Sequence, residues 1–180
     1  FPKREKINIG EEVLRLEAES ILHLVDRVGE EFSRAVELIF RCKGRVIVAG
    51  LGKSGLIGRK IVATMTSTGT QALFLPPVEG LHGDLGIVTK DDVLIAISNS
   101  GETAELNMIV ESIRMIGVPR IAFTGNLSST LARTCDIVID VGVDREACPF
   151  GLAPTSSSTA TLAMGDALAV ALIHRKNFQE

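Results

Sequence analysis

The sequence predicts an α/β fold, a parallel sheet covered by helices on both faces, and three observations carry that prediction. From Arg45 onward, short apolar runs rich in Val and Ile alternate with stretches long enough to be helices. The connections between them are short, which implies right-handed crossovers and parallel strands. Two of the apolar runs end in junctions rich in glycine and hydroxyl residues that open a helix, as expected at the carboxyl ends of such strands.

In chain order, residues 8–43 read as helical. Val13, Leu14, Leu16, Ile21, Leu22, Leu24, Val25 and Val28 recur at spacings of three and four, Gly29 interrupts, and Val36, Leu38, Ile39 and Phe40 follow. This predicts a helical hairpin in front of the sheet. Strands are expected at 45–49, 71–75, 93–97, 119–124 and 136–141, and helices at 54–67, 103–116 and 155–176. Two prolines and three glycines between Pro76 and Gly86 predict a loop or a short turn of helix. No internal repeat, low-complexity tract or linker breaks the pattern, so residues 1–180 are expected to form one domain with an α/β core over 45–176.

Composition narrows the function. At 46% hydrophobic and 23% charged residues, the 180-residue chain has enough apolar material for a sizeable core. A net charge of -3, no Trp, no Tyr and 7 Phe leave no basic stripe and little to stack on bases, which argues against nucleic acid as a partner. The longest apolar runs, about ten residues, fall short of the ~20 that cross a bilayer. Cys42, Cys135 and Cys148 have neither disulfide-type nor metal-type spacing, which favours a reducing compartment and a cytoplasmic location.

Five constellations carry the chemistry. Ser98-Asn99-Ser100-Gly101-Glu102-Thr103 follows the apolar run Val93–Ile97 and offers hydroxyls, an amide and unpaired backbone N–H groups to one point, a cradle for a phosphate monoester. Gly50-Leu51-Gly52-Lys53-Ser54-Gly55 repeats the plan after Val46–Ala49. It matches a dinucleotide fingerprint but lacks the acidic residue at the end of the next strand, and it lacks the first glycine of a nucleotide-binding P-loop. These glycines serve equally as a tight strand-to-helix turn. Glu102 and Glu105 are spaced to share a first helical turn. Glu102 is read there as a partner of the helix dipole, and Glu105 as pointing over the crevice. His82 lies in a loop dense with glycine and carboxylate, whereas His23 and His174 fall in amphipathic helices. Finally, Asp144-Arg145-Glu146-Ala147-Cys148-Pro149 leads through a turn into five successive hydroxyl residues, Thr155 to Thr159, more than a single helix cap needs.

Gly-Lys-Ser after the first strand, His82-Gly83-Asp84-Leu85-Gly86, and Ser98 to Thr103 together resemble the sugar isomerase (SIS) domain, a phosphosugar-binding fold of flavodoxin-like, three-layer topology with a five-stranded parallel sheet. Glu146-Ala147-Cys148-Pro149, Leu152 to Ser157 and Gly165-Asp166-Ala167-Leu168-Ala169 resemble its arabinose-5-phosphate isomerase branch. The resemblance implies interconversion of D-ribulose 5-phosphate and D-arabinose 5-phosphate through a cis-enediol(ate), on the route to the lipopolysaccharide sugar Kdo. It assigns catalytic relevance to Lys53, Glu105 and Glu146 and substrate contacts to Gly69, Thr70 and His82, while Ser54, Ser98, Asn99, Ser100 and Thr103 match the phosphate-holding loops. On this reading His82 opens the sugar ring or polarises the carbonyl, Glu105 or Glu146 shuttles the proton, and Lys53 stabilises the enediolate oxygen.

The same resemblance implies a homo-oligomer, expected to be a tetramer, and no cofactor. Relatives often carry a zinc-binding histidine six residues before the one matching His82; Pro76 stands there, so no metal is expected. Longer family members continue through a further histidine into a pair of CBS modules, and the sequence as given stops at Glu180, from which weaker turnover is expected. The competing readings are a phosphosugar sensor without catalysis and a dinucleotide-binding domain.

Overall fold

Strands β1 (Val46–Gly50), β2 (Ala72–Phe74), β3 (Val93–Ile97), β4 (Arg120–Thr124) and β5 (Ile137–Asp140) form one sheet in the order β2-β1-β3-β4-β5. Every neighbouring pair is parallel. The computed structural model describes residues 2–177. Its helices are α1 (Lys3–Val25), α2 (Glu30–Phe40), α3 (Gly52–Ser67), α4 (Pro77–Leu81), α5 (Ala104–Ile116), α6 (Thr130–Thr134) and α7 (Ser156–Asn177), with single 3-10 turns at Asp84–Ile87 and Pro149–Gly151.

Alternating strand residues feed two separate cores. Val46 and Val48 of β1 and Ile95 and Ile97 of β3 pack with Ile61 and Met65 of α3 and with Met164 and Leu168 of α7. Ile47, Ala49, Leu94 and Ala96 face the other way, onto Leu106, Ile109, Val110 and Ile113 of α5. Both central strands are buried along their whole length, and for this reason they are written as unbroken apolar runs. Each fully buried Ile or Leu contributes roughly 1.5–3 kcal/mol relative to an exposed one, so these layers dominate the stability of the domain.

The strand order places the functional crevice. From β1 the chain moves outward to β2, then returns past β1 to β3 and continues to β5 at the other edge. The helices leaving β1 and β3 therefore depart to opposite faces, and a gap opens beyond the carboxyl ends of these two strands. The pairing runs from Val46 opposite Val93 to Gly50 opposite Ile97, so the two strands end level and their loops start side by side.

The N-terminal helices break at Gly29, as their apolar spacing predicts, and both lie against α7. Thr159 Oγ1 donates to Glu17 at 2.7 Å, and Arg175 Nε donates to Glu37 at 2.6 Å while its guanidinium stacks over Phe40. By length and composition α7 would serve as a membrane span, but half of that stretch is buried inside the fold. Its apolarity is that of a core helix. The proline-rich segment after β2 forms α4 and then the 3-10 turn, and α4 packs on α5. A Cβ on Gly80 would lie 2.4 Å from Ile109 Cδ1, so any larger residue there would force the buried Ile109 to shift. Helix α6 has no counterpart among the elements expected from sequence; five residues are too few to show a period, and Ser129 caps it by accepting from Ala132 N.

Candidate active site

Helix α3 starts two residues after β1. The turn is made by Gly52 in the left-handed region (φ 58°), and a Cβ on Gly55 would lie 2.7 Å from the Gly50 carbonyl oxygen. These glycines thus bring the helix start hard against the strand end. Among the described residues no side chain caps α3, whose first backbone N–H groups have no helical partners. Lys53, in that first turn, is exposed and makes no hydrogen bond or ion pair with a described residue. An uncapped helix start beside an unpaired ammonium is a place for an anion.

The loop after β3 is tightly organised. Ser98 Oγ lies 2.9 Å from Thr103 Oγ1 and accepts from Gly101 N at 3.0 Å, while Ser100 Oγ accepts from Glu102 N at 3.2 Å. Gly101 has φ 67°, and a Cβ there would meet Ser129 Oγ at 2.0 Å. Asn99 and Ser100 are exposed at the top of this loop, and Ser98 is buried beneath them. Glu102 precedes α5 instead of entering it. Its carboxylate accepts from Thr130 N at 2.8 Å, at the start of α6. The backbone and side-chain bonds from Thr130, with Arg133 nearby, hold this carboxyl below the usual range. A structural role for Glu102 therefore stands, but on α6 rather than on α5.

Between these loops and the start of α7 lies a cavity of about 460 Å³. One wall is Leu51, Lys53, Ser54 and Ile57; the other is Ser157, Ser158 and Thr161 of α7, with Asn99 and Glu146 between them. Glu146 reaches the amino end of α7 across the loop 147–154. Its Oε2 accepts from Thr155 N at 2.7 Å, Thr155 Oγ1 at 3.1 Å and Ser157 N at 3.2 Å. Burial raises the Glu146 pKa, but hydrogen bonds from the Ser157 side chain, from both backbone N–H groups and from the Thr155 hydroxyl outweigh it, and the net shift is downward. The group is a carboxylate at neutral pH.

Of the residues singled out in the sequence, Lys53, Ser54, Asn99 and Glu146 share this cavity. Ser98, Ser100 and Thr103 belong to the loop that carries Asn99 but are not on the wall. Glu105, half-buried in the first turn of α5, makes no hydrogen bond or ion pair with a described residue. His82 is exposed at the end of α4, outside the cavity. Gly69 and Thr70 lie at the opposite, amino end of the sheet, where Lys176 Nζ donates to Gly69 O at 2.7 Å and to Thr70 Oγ1 at 2.8 Å. One chain does not bring these two to the cavity. Ser157, Ser158 and Thr161 are wall residues to which the sequence reading gave no role; Ser157 and Ser158 belong to the run of hydroxyls from Thr155 to Thr159, and Thr161 lies two residues beyond it.

The arrangement supplies an anion site, a positive charge and a carboxylate around one small volume, which suits proton transfer beside a carbonyl in a phosphorylated molecule. Among the described residues no group of three His, Cys, Asp or Glu side chains comes together as a metal site would require.

Residues 39–171 match the SIS domain family. The chain is 52% identical over 169 residues to arabinose 5-phosphate isomerase KdsD of Escherichia coli strain K12, covering 94% of this chain and 52% of the relative. It is 49% identical over 173 residues to a probable arabinose 5-phosphate isomerase of Haemophilus influenzae, covering 96% of this chain and 51% of that protein. The chain thus spans about half the length of the curated relatives it matches. Among solved structures it superposes on an Escherichia coli CFT073 protein in complex with arabinose 5-phosphate, with a TM-score of 0.94, 41% identity, and 99% of this chain and 95% of that one covered.

Proposed function

The chain belongs to the SIS domain family, and from that premise we propose that it interconverts D-ribulose 5-phosphate and D-arabinose 5-phosphate through a cis-enediol(ate). One observation carries the reading: an unpaired lysine, an uncapped helix start and a hydrogen-bonded carboxylate line a single cavity where the strand order reverses. The similarity to arabinose 5-phosphate isomerases and to a structure that holds arabinose 5-phosphate supports the choice of pentose.

The phosphate is held between the Ser98–Thr103 loop and the start of α3, with Ser54, Asn99 and the first backbone N–H groups of α3 as donors. A carboxylate takes the proton from carbon 2 of the open-chain aldose and delivers it to carbon 1, while the hydroxyl proton on oxygen 2 passes to oxygen 1. Glu146 lies in the cavity for this task. Lys53 stabilises the negative oxygen of the enediolate.

His82 and Glu105 lie outside the cavity, and Gly69 and Thr70 lie at the far end of the sheet. A role for these four in the reaction calls for a neighbouring copy of the chain. Leu14, Leu22 and Val25 on α1, with Phe150 across a groove from its amino half, expose apolar surface that a homo-oligomer, proposed as a tetramer, would cover. The product serves Kdo and lipopolysaccharide synthesis in the cytoplasm.

The test is a coupled assay of ketose formation from D-arabinose 5-phosphate, run beside a thermal-shift panel of NAD(P) and pentose phosphates. Turnover supports the isomerase. Stabilisation by the pentose phosphate without turnover identifies a sensor, and stabilisation by NAD(P) alone identifies a dinucleotide-binding domain.

A further inference from the structure

Glu146 stands on a loop with little regular structure. Its neighbours Pro149–Gly151 form one 3-10 turn in which Phe150 is forced into the left-handed region (φ 63°) with its side chain 95% exposed. A loop of this kind does not by its own conformation fix a carboxylate to the few tenths of an ångström that proton transfer demands. What fixes it is Thr155, joined at the carboxylate by Ser157. Thr155 Oγ1 accepts from Ala147 N at 2.8 Å and from Cys148 N at 3.2 Å, and it donates to Glu146 Oε2 at 3.1 Å, while Thr155 N donates to the same oxygen at 2.7 Å. One threonine thus ties three successive residues of the loop to the head of α7.

Three of the bonds to the carboxylate, that from Ser157 N at 3.2 Å included, end on Oε2, and the Ser157 side chain bonds to the carboxylate as well. A carboxylate tied in this way to a helix start is fixed in orientation at the cavity that Glu146 lines. Of the charged side chains near it, Lys53 shares the cavity wall, whereas Arg145 turns away to Glu12 at 3.8 Å.

We infer that Thr155 is a positioning residue for the reaction: its hydroxyl clamps the 146–148 loop and Glu146 Oε2 so that the carboxylate is held in place at the cavity. The role rests on the isomerase reading above, but the clamp itself is a property of the free protein and can be read without turnover. It requires the hydroxyl and not the methyl group, which distinguishes it from simple packing.

Three proteins decide it: the parent, Thr155→Val, which keeps the shape and removes the hydroxyl, and Thr155→Ser, which keeps the hydroxyl. Two measurements are made on each: kcat and KM for D-arabinose 5-phosphate across pH, and the carboxyl titration of Glu146 by carbon-13 NMR in the free protein. Thr155→Val is expected to lower kcat ten- to a hundredfold with KM within about threefold, and to move the acid limb of the pH profile and the Glu146 titration upward together. Thr155→Ser is expected to restore kcat to within about threefold and to return the titration to its parent position. If Thr155→Val leaves kcat and the titration unchanged, or if Thr155→Ser is as impaired as Thr155→Val, the clamp is refuted. Should Thr155→Val fail to fold, Thr155→Ala takes its place with the same expectations. If the parent turns nothing over, the isomerase reading fails by itself, and the titration alone decides whether Thr155 holds the carboxylate.

Discussion

Glu146 illustrates what a single residue can and cannot disclose. The sequence offers it as one of two candidate proton carriers, and nothing in the spacing ranks it against Glu105. The fold separates the two: Glu146 is in the cavity with three donors on one oxygen, and Glu105 is outside it. Its folded-state pKa lies below the 4.5 of a free glutamate, so its hydrogen bonds stabilise the fold fully above about pH 4.5 and are lost as pH falls through the folded value. Urea denaturation of the parent and Glu146→Gln is therefore expected to show a stability difference at pH 7 that shrinks in acid; a difference of constant size would contradict this assignment. Lys53→Ala, which removes the only cation on the cavity wall among the described residues, is expected to lower kcat by about 10²–10³-fold without lowering the melting temperature, because the exposed Lys53 side chain makes no hydrogen bond or ion pair with a described residue. Cys135 is a third case. Burial pushes its thiol up to about 12, so at pH 8 it is expected to resist a thiol reagent in the native protein and to react once urea is added. Rapid native labelling of Cys135 would show the burial to be wrong.

At the scale of elements, β1 and β3 were legible because burial along their whole length forces them to be apolar throughout, and the less buried or less apolar β2, β4 and β5 still carry runs of Leu, Ile, Val, Ala and Phe, so all five are marked within a residue or two. Helix α6 was not legible, and α4 only as one of two alternatives, since both are single turns fixed by tertiary contact: α6 by the Ser129 cap and the Glu102 carboxylate, α4 by its seat on α5. Close packing is likewise invisible in sequence. A Cβ on Gly165 of α7 would lie 2.5 Å from Ile61 Cγ1 and Cδ1 on α3, and Ile61 is fully buried with nowhere to move. Gly165→Ala is thus expected to destabilise the domain by about 1–3 kcal/mol despite the higher helix propensity of alanine, as read from urea unfolding. An unchanged or raised midpoint would mean that the two helices are not in contact as described.

For the whole molecule, chain order alone predicts much of the site. Residues that follow a strand of a parallel sheet lie at its carboxyl end and residues that precede one lie at its amino end, which brings Lys53, Ser54 and Asn99 together and sends Gly69 and Thr70 away. The joining of Glu146 to that group depends on how a loop without periodicity closes on α7; periodicity and chain order do not encode it, and only the family resemblance of its motif pointed to Glu146. The exposed apolar face of α1 belongs to this scale as well: light scattering at micromolar concentration is expected to give a mass near four times the 19.2 kDa chain, and a mass near 19.2 kDa would remove any shared site. The central claim is proton transfer at carbon 2 of a pentose phosphate, and proton NMR of D-arabinose 5-phosphate with the protein in deuterium oxide tests it most directly. The expected result is the growth of D-ribulose 5-phosphate signals with loss of the carbon 2 proton signal from the remaining aldose, both abolished or strongly slowed by Lys53→Ala; an aldose spectrum that stays unchanged while the sugar phosphate is bound would contradict the isomerase.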